Sequence, residues 1–315
     1  MPLVLSIDGP ILSTADLAEQ QAILGDVFGL KSVAEERLDA RQVAQRWGLT
    51  GHTAQTVLLE TPGTSVGVLV VQFDPVSPIV IREGVAPYDG DALKVIDFYG
   101  LDVPRTVELL EAHGLHLKEE IATYEVPGEG EVSEAHIWGP DQVVYAVLTG
   151  PPGFAARMNY TRVNDRLISE ISSFSSPVFD KPAVFAFYQD VLGLEQTFHY
   201  EIEHESFQGL VGMDQRTRVT GDNFGWRVAP QFGIIHYGLP EGVARSLRDR
   251  AVLPNRGLVG ARLTTTSAQE VEWRCRSAEI EVLAPADEIE IAPYGRVRSL
   301  TVRAPHGVVH QLIER

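Results

Sequence analysis

The chain repeats itself. Residues 16–30 read DLAEQQAILGDVFGL and residues 180–194 read DKPAVFAFYQDVLGL. Asp16/Asp180, Ala22/Ala186, Asp26/Asp190, Val27/Val191, Gly29/Gly193 and Leu30/Leu194 coincide at an offset of 164. A second match lies at 165, where residues 139–148 (GPDQVVYAVL) align with residues 304–313 (APHGVVHQLI). Two matches at nearly one spacing predict two halves of like architecture. Their junction falls at Thr149-Gly150-Pro151-Pro152-Gly153, which breaks both helix and strand. The expected domains are therefore 1–150 and 156–315.

Each half divides again. Residues 102–114 (DVPRTVELLEAHG) place Val103, Val107 and Leu110 at i, i+4 and i+7, which predicts an amphipathic helix closing on Gly114. Strand-like residues 93–99 precede it. The same order recurs around Asp16 and Asp180, with strands over 7–15 and 168–178, and a fourth copy runs from a strand at 258–266 into a helix at 267–277. The Asp that starts each of the first three helices can accept backbone N–H bonds, and Gly29 and Gly193 suit the left-handed turn that ends a helix. Two or three strand-like runs follow each helix, such as 56–60 with 66–73 and 198–205 with 232–237. The chain is expected to be α+β, built from four βαβββ modules. Residues 40–53, with Trp47 and His52, read as a loop or lid between helix and strand.

Composition narrows the partners. Of 315 residues, 44% are hydrophobic and 22% charged, the profile of a globular protein. The net charge of −17 repels phosphate backbones, and no basic stripe offsets it, which argues against nucleic acid. The longest apolar run, residues 66–71, is far short of the roughly 20 residues of a membrane-spanning helix. The opening MPLVLSID lacks the basic and long apolar regions of a signal peptide. Cys275 is the single cysteine, so an internal disulfide and a Cys-based zinc site are excluded. No P-loop, nucleophile elbow or dinucleotide fingerprint stands out. The expectation is a cytoplasmic protein with a small-molecule partner, no nucleic-acid or membrane partner, and a homodimer as the one association left open.

The DxxxxxAxxxDVxGL helices and (G/A)P(D/H)xVVxx(V/L) closing strands resemble those of the vicinal oxygen chelate superfamily. That group includes glyoxalase I, bleomycin-resistance proteins and extradiol dioxygenases, and the four-module layout is most similar to the last. The resemblance covers essentially the whole chain. It implies that the modules pair into two cup-shaped domains of mixed sheet, with helices outside and substrate inside. It also implies a divalent metal, held by His, Glu or Gln of the first and last strands, acting as a Lewis acid on vicinal oxygens.

Carried onto this chain, the first-strand slots are Gly9, Val95, Ser173 and Gly260, and the last-strand slots are Ala146 and Gln311. A shift of one residue turns a strand side chain to the other face and brings in Asp8 and His310, but no set of three. The expectation is therefore that neither a metal nor another cofactor is bound. The richer second half is expected to hold the site, and the bare first half to be scaffold.

Without a metal, chemistry would rest on acid–base groups and oriented hydrogen bonds. His236, in the apolar run FGIIHY, matches by position the acid–base His implied by the extradiol layout. His199 lies in FHYEIEH, where alternation sets His199, Glu201 and Glu203 on one face and Tyr200, Ile202 and His204 on the other. Trp226 and Arg227, in NFGWR, suit an aromatic or carboxylated ligand. Tyr160 opens the second domain, and Ser173 and Gln311 would hydrogen-bond substrate oxygens. Each also has a plain structural role open to it, a His in an apolar strand as core and a charged strand face as solvated surface.

The leading reading is a metal-independent isomerase or lyase. It would act on a small oxygenated compound, aromatic ones included, by His-mediated proton transfer. Two others stay open: a metal-dependent extradiol-type dioxygenase with ligands elsewhere, and a protein that binds or sequesters a small molecule.

Overall fold

The computed structural model describes residues 3–157, 166–226, 230–239 and 246–315. Its elements follow the expected repeat. The first module comprises β1 (Val4–Ser13), α1 (Leu17–Ala22), β2 (Lys31–Leu38), α2 (Ala40–Trp47), β3 (Thr53–Glu60) and β4 (Gly67–Asp74). The second comprises β5 (Val95–Gly100), α3 (Val103–Ala112), β6 (His116–Leu117), β7 (Ala122–Val126), β8 (Gly130–Trp138) and β9 (Val144–Thr149), with α4 (Pro152–Arg157) after it. The third comprises β10 (Ile168–Pro177), α5 (Lys181–Ala186), β11 (Glu195–Ile202), α6 (Glu205–Leu210), β12 (Val219–Gly225) and β13 (Gln231–His236). The fourth comprises β14 (Gly257–Thr265), α7 (Ala268–Ser277), β15 (Glu281–Ile291), β16 (Gly295–Arg303) and β17 (Val309–Glu314).

The helix starts are where the capping residues put them. Asp16, Asp102, Asp180 and Ser267 accept from the backbone N–H of Glu19, Arg105, Ala183 and Glu270 at 3.0–3.2 Å. α1 and α5 both run on into a π-helical turn, Ile23–Val27 and Phe187–Val191, so the duplication extends to an irregularity. Residues 40–47 are a helix rather than a lid. Asp39 and Gln42 form a capping box, and Val43 and Trp47 turn inward.

The pairing of modules is not the expected one. The eight-stranded sheet has the order β15-β16-β17-β14-β1-β4-β3-β2, which joins the first module to the fourth. The nine-stranded sheet, β11-β12-β13-β10-β5-β9-β8-β6 with β7 on β8, joins the second to the third. The compact units are accordingly Met1–Ile81, Asp180–Glu195 and Leu247–Arg315 on one side, and Arg82–Phe179 with Gln196–Ser246 on the other. A cut between 150 and 156 would divide both sheets. In each, the two first strands meet antiparallel at the centre, β1 on β14 and β5 on β10, and each takes its module's closing strand in parallel on its other edge.

Candidate functional site

In the second unit the nine-stranded sheet curls far enough for side chains of β5, β8, β10, β11, β12 and β13 to line one cavity. It offers about 90 Å³ to the centres of water-sized molecules, room for a small ligand. Phe154, Phe198, Tyr200 and Phe207 form an aromatic wall. Tyr200 lies flat on β12 because Gly221 leaves it room, a Cβ there falling 2.0 Å from the ring. The polar groups come from the centre of the sheet: Asp97 on β5, Ser173 and Ser175 on β10, Gln231 on β13, Asn223 on β12, and Lys94 just ahead of β5.

Asp97 is half-buried, and its Oδ2 accepts from the Ser173 hydroxyl at 2.8 Å. Burial, reinforced by the nearby Glu134 charge, raises its carboxyl to about 7, against the pull of the Ser173 bond and of Lys94. Lys94 is 3% exposed, and its Nζ donates to the Tyr237 hydroxyl at 2.8 Å. Burial lowers its ammonium to about 8, although Glu134 and Asp97 oppose that shift. Glu134 accepts from the Tyr124 hydroxyl and lies 2.9 Å from His136 Nε2. Burial pushes the Glu134 carboxyl up, but these bonds and the Lys94 charge outweigh it and hold it below the usual range. Burial depresses His136, so the ring is neutral with Nε2–H donating to Glu134. Burial likewise raises the Tyr124, Tyr200 and Tyr237 hydroxyls above the usual phenol range and keeps them protonated.

The other unit's cup is closed. In the first-strand slots, Gly9 and Gly260 meet neighbouring backbone, where a Cβ would fall 1.8 Å from the Gly67 carbonyl and 2.2 Å from that of Val309. Arg46 makes a two-pronged pair with Glu36 at 2.8 and 3.0 Å, and the buried Arg262 reaches Tyr294 and the Asp8 carbonyl at 3.3 and 3.4 Å. About 10 Å³ is left.

The residues singled out from sequence scatter. Ser173 lines the open cavity. Gln311 lies in the closed cup, 3.4 Å from Ser299, because its module pairs with the first. His236 follows Ile235, which faces the cavity, and alternation turns the His side chain away; its Nδ1 accepts from the Gly238 N–H at 3.2 Å. His199 is likewise on the outer face, 45% exposed and 2.7 Å from Asp222, between the cavity-facing Phe198 and Tyr200. Neither His is placed to move a proton in the cup. Trp226 is half-buried and offers its carbonyl to Gln231 at 2.6 Å. Arg227 and Tyr160 lie outside the described residues. The reading from sequence missed Asp97, Lys94 and Glu134. The only signal for them was polarity inside otherwise apolar strands, as in LKVIDFY.

The metal implied by the fold does not suit these side chains. Among the described cavity-lining positions on the first and closing strands Asp97 is the one carboxylate, and Glu134, on β8, is taken up by Tyr124 and His136. The Gln231 side-chain oxygen Oε1 accepts from Asn223 Nδ2 at 3.0 Å, and a lysine lines the same cavity. Among the described residues no three His, Cys, Asp or Glu side chains converge on a metal position.

No family model and no curated protein matches the chain. Solved structures do. Glyoxalase I from Zea mays superposes with a TM-score of 0.60 at 12% identity, covering 98% of this chain and 92% of that one. A Bacillus subtilis protein provisionally named a dioxygenase superposes at 0.61 and 10% identity, covering 100% of this chain and 86% of that one. Among the described residues no helix is long and apolar enough to cross a membrane. With four βαβββ modules paired into two mixed sheets, and glyoxalase I as a structural neighbour along nearly its whole length, the chain has the vicinal oxygen chelate fold.

Proposed function

We propose that the protein is an enzyme, an isomerase or lyase, that moves a proton on a small oxygenated compound held in the second unit's cavity, with Asp97 as the acid–base group. The observation that carries this is the Asp97 carboxyl itself. It faces the cavity, one oxygen is held by Ser173, and burial brings it to about 7, where a group both takes and returns protons at neutral pH. In its ionised form Asp97 removes a proton from a carbon next to a carbonyl. The charge that builds on the substrate oxygen meets N–H and O–H donors lining the cavity at Lys94, Ser175 and Asn223. Return of the proton to the neighbouring carbon gives isomerisation, and loss of a leaving group gives elimination. No step runs through a metal. The aromatic wall supports a substrate with a flat, apolar portion.

The test is solvent exchange. The protein is incubated in D₂O with a panel of hydroxyketones, 2-oxo acids and aryl ketones, and loss of the C–H signal is followed by NMR. Exchange of at least one compound is expected, falling by about 10²–10⁴-fold in Asp97→Asn. Equal exchange in wild type and variant would overturn the role of Asp97. Tight binding with no exchange would make the protein a binder.

A further inference from the structure

Lys94 is buried where lysines are seldom left without an acid. The residue lines the cavity, and its Nζ makes no direct ion pair among the described residues and has a phenol, Tyr237, as its hydrogen-bond partner at 2.8 Å. A paired or solvated lysine keeps its proton, whereas one whose partner is a neutral hydroxyl in an apolar wall gives it up readily and becomes a nucleophile. Its lowered ammonium pKa agrees with this, and the charged groups facing it are Glu134, Asp97 and Arg82. Asp97, the proton-transfer group, lines the same cavity.

We infer that Lys94 condenses with the carbonyl carbon of an aldehyde or ketone, so that carbonyl compounds able to form an imine are this site's substrate class. The inference rests on the proposed function and deepens it. The neutral amine attacks the carbonyl carbon, forming a C–N bond as the C=O π bond breaks, and one of the N–H protons passes to the oxygen to give a carbinolamine. A second proton on that oxygen lets it leave as water, and a cationic C=N bond to Lys94 remains. The Tyr237 hydroxyl, already bonded to Nζ, is the group placed to pass these protons. Asp97 then takes a proton from the adjacent carbon, and the electron pair moves into the iminium to give an enamine. Reprotonation and attack of water reverse the sequence, so no oxidant, reductant or co-reactant is consumed.

The test is reductive trapping. The full-length protein is mixed with pyruvate, hydroxyacetone or benzaldehyde in the presence of sodium cyanoborohydride, and the modified peptides are mapped by mass spectrometry. The Lys94 peptide is expected to label about tenfold faster or more than those of the exposed Lys31 and Lys118, which serve as controls within the same chain. Lys94→Met should remove that adduct, while Asp97→Asn should keep it and lose exchange. Labelling of Lys94 no faster than of the surface lysines overturns the imine, and does so even where Lys94→Met fails to fold. If exchange persists in that case, the role of Asp97 stands without the imine. A Lys94 adduct with no Asp97-dependent exchange upholds the imine and overturns the role of Asp97. Absence of both results overturns both.

Discussion

Asp97 shows how little a residue's type says about its chemistry. In solution an Asp is ionised above pH 4, but here burial favours its protonated form. The consequence for stability has a definite sign. A carboxyl whose folded pKa lies above its unfolded value binds more protons in the native state, so stability falls as pH rises from about 4 to about 7. An Asn in its place carries no such penalty. Asp97→Asn should therefore unfold like wild type near pH 4 and be more stable at pH 8 by about 1–3 kcal/mol, read from urea midpoints across that range. A variant equally stable or less stable at pH 8 would refute the raised carboxyl. The His residues teach the converse. Alternation in FHYEIEH correctly set His199 and Tyr200 on opposite faces, but only the curl of the sheet made Tyr200's face the inner one.

Among the elements, the helix starts and the strand alternation were legible because their causes are local. A capping Asp lies within three residues of the N–H it accepts from, and a strand face repeats every second residue. α2 was misread because a polar, Gly-flanked stretch looked like loop, although Asp39 and Gln42 spell a capping box. Glycines within elements were the least legible, since the need for one is set by whatever approaches it. Gly221→Ala on β12 should cost about 1–3 kcal/mol in a denaturant titration, because the new Cβ falls 2.0 Å from the Tyr200 ring and forces it toward the cavity. Gly209→Ala on α6 meets nothing within 4 Å and should gain about 0.5–1 kcal/mol by helix propensity alone. Equal effects at the two positions would show that the Tyr200 contact is unimportant.

At the scale of the whole molecule, the two sheets share one topology and differ in what fills them. One cup is plugged by Arg46, Glu36 and Arg262, and the other is left open around Asp97 and Lys94. Glu36→Ala leaves the Arg46 guanidinium, 2% exposed, without its carboxylate and should cost about 3 kcal/mol or more by calorimetry or urea. It should leave exchange at Asp97 unchanged, and a parallel loss of exchange would mean that the plugged cup takes part in the chemistry. What the sequence determined by itself was the number of modules, their order of strands and helices, and hence the vicinal oxygen chelate fold. All of these follow from patterns that repeat within a few turns of chain. Which modules share a sheet, and so which residues share a cavity, was decided by tertiary structure. Four near-equivalent first strands offer similar edges, and the choice among them rests on contacts such as Thr264 with Asp8, 256 residues apart, and Ser173 with Asp97, 76 apart. No local period records such distances. The cut at residue 150 therefore fell between the two modules that build the open site.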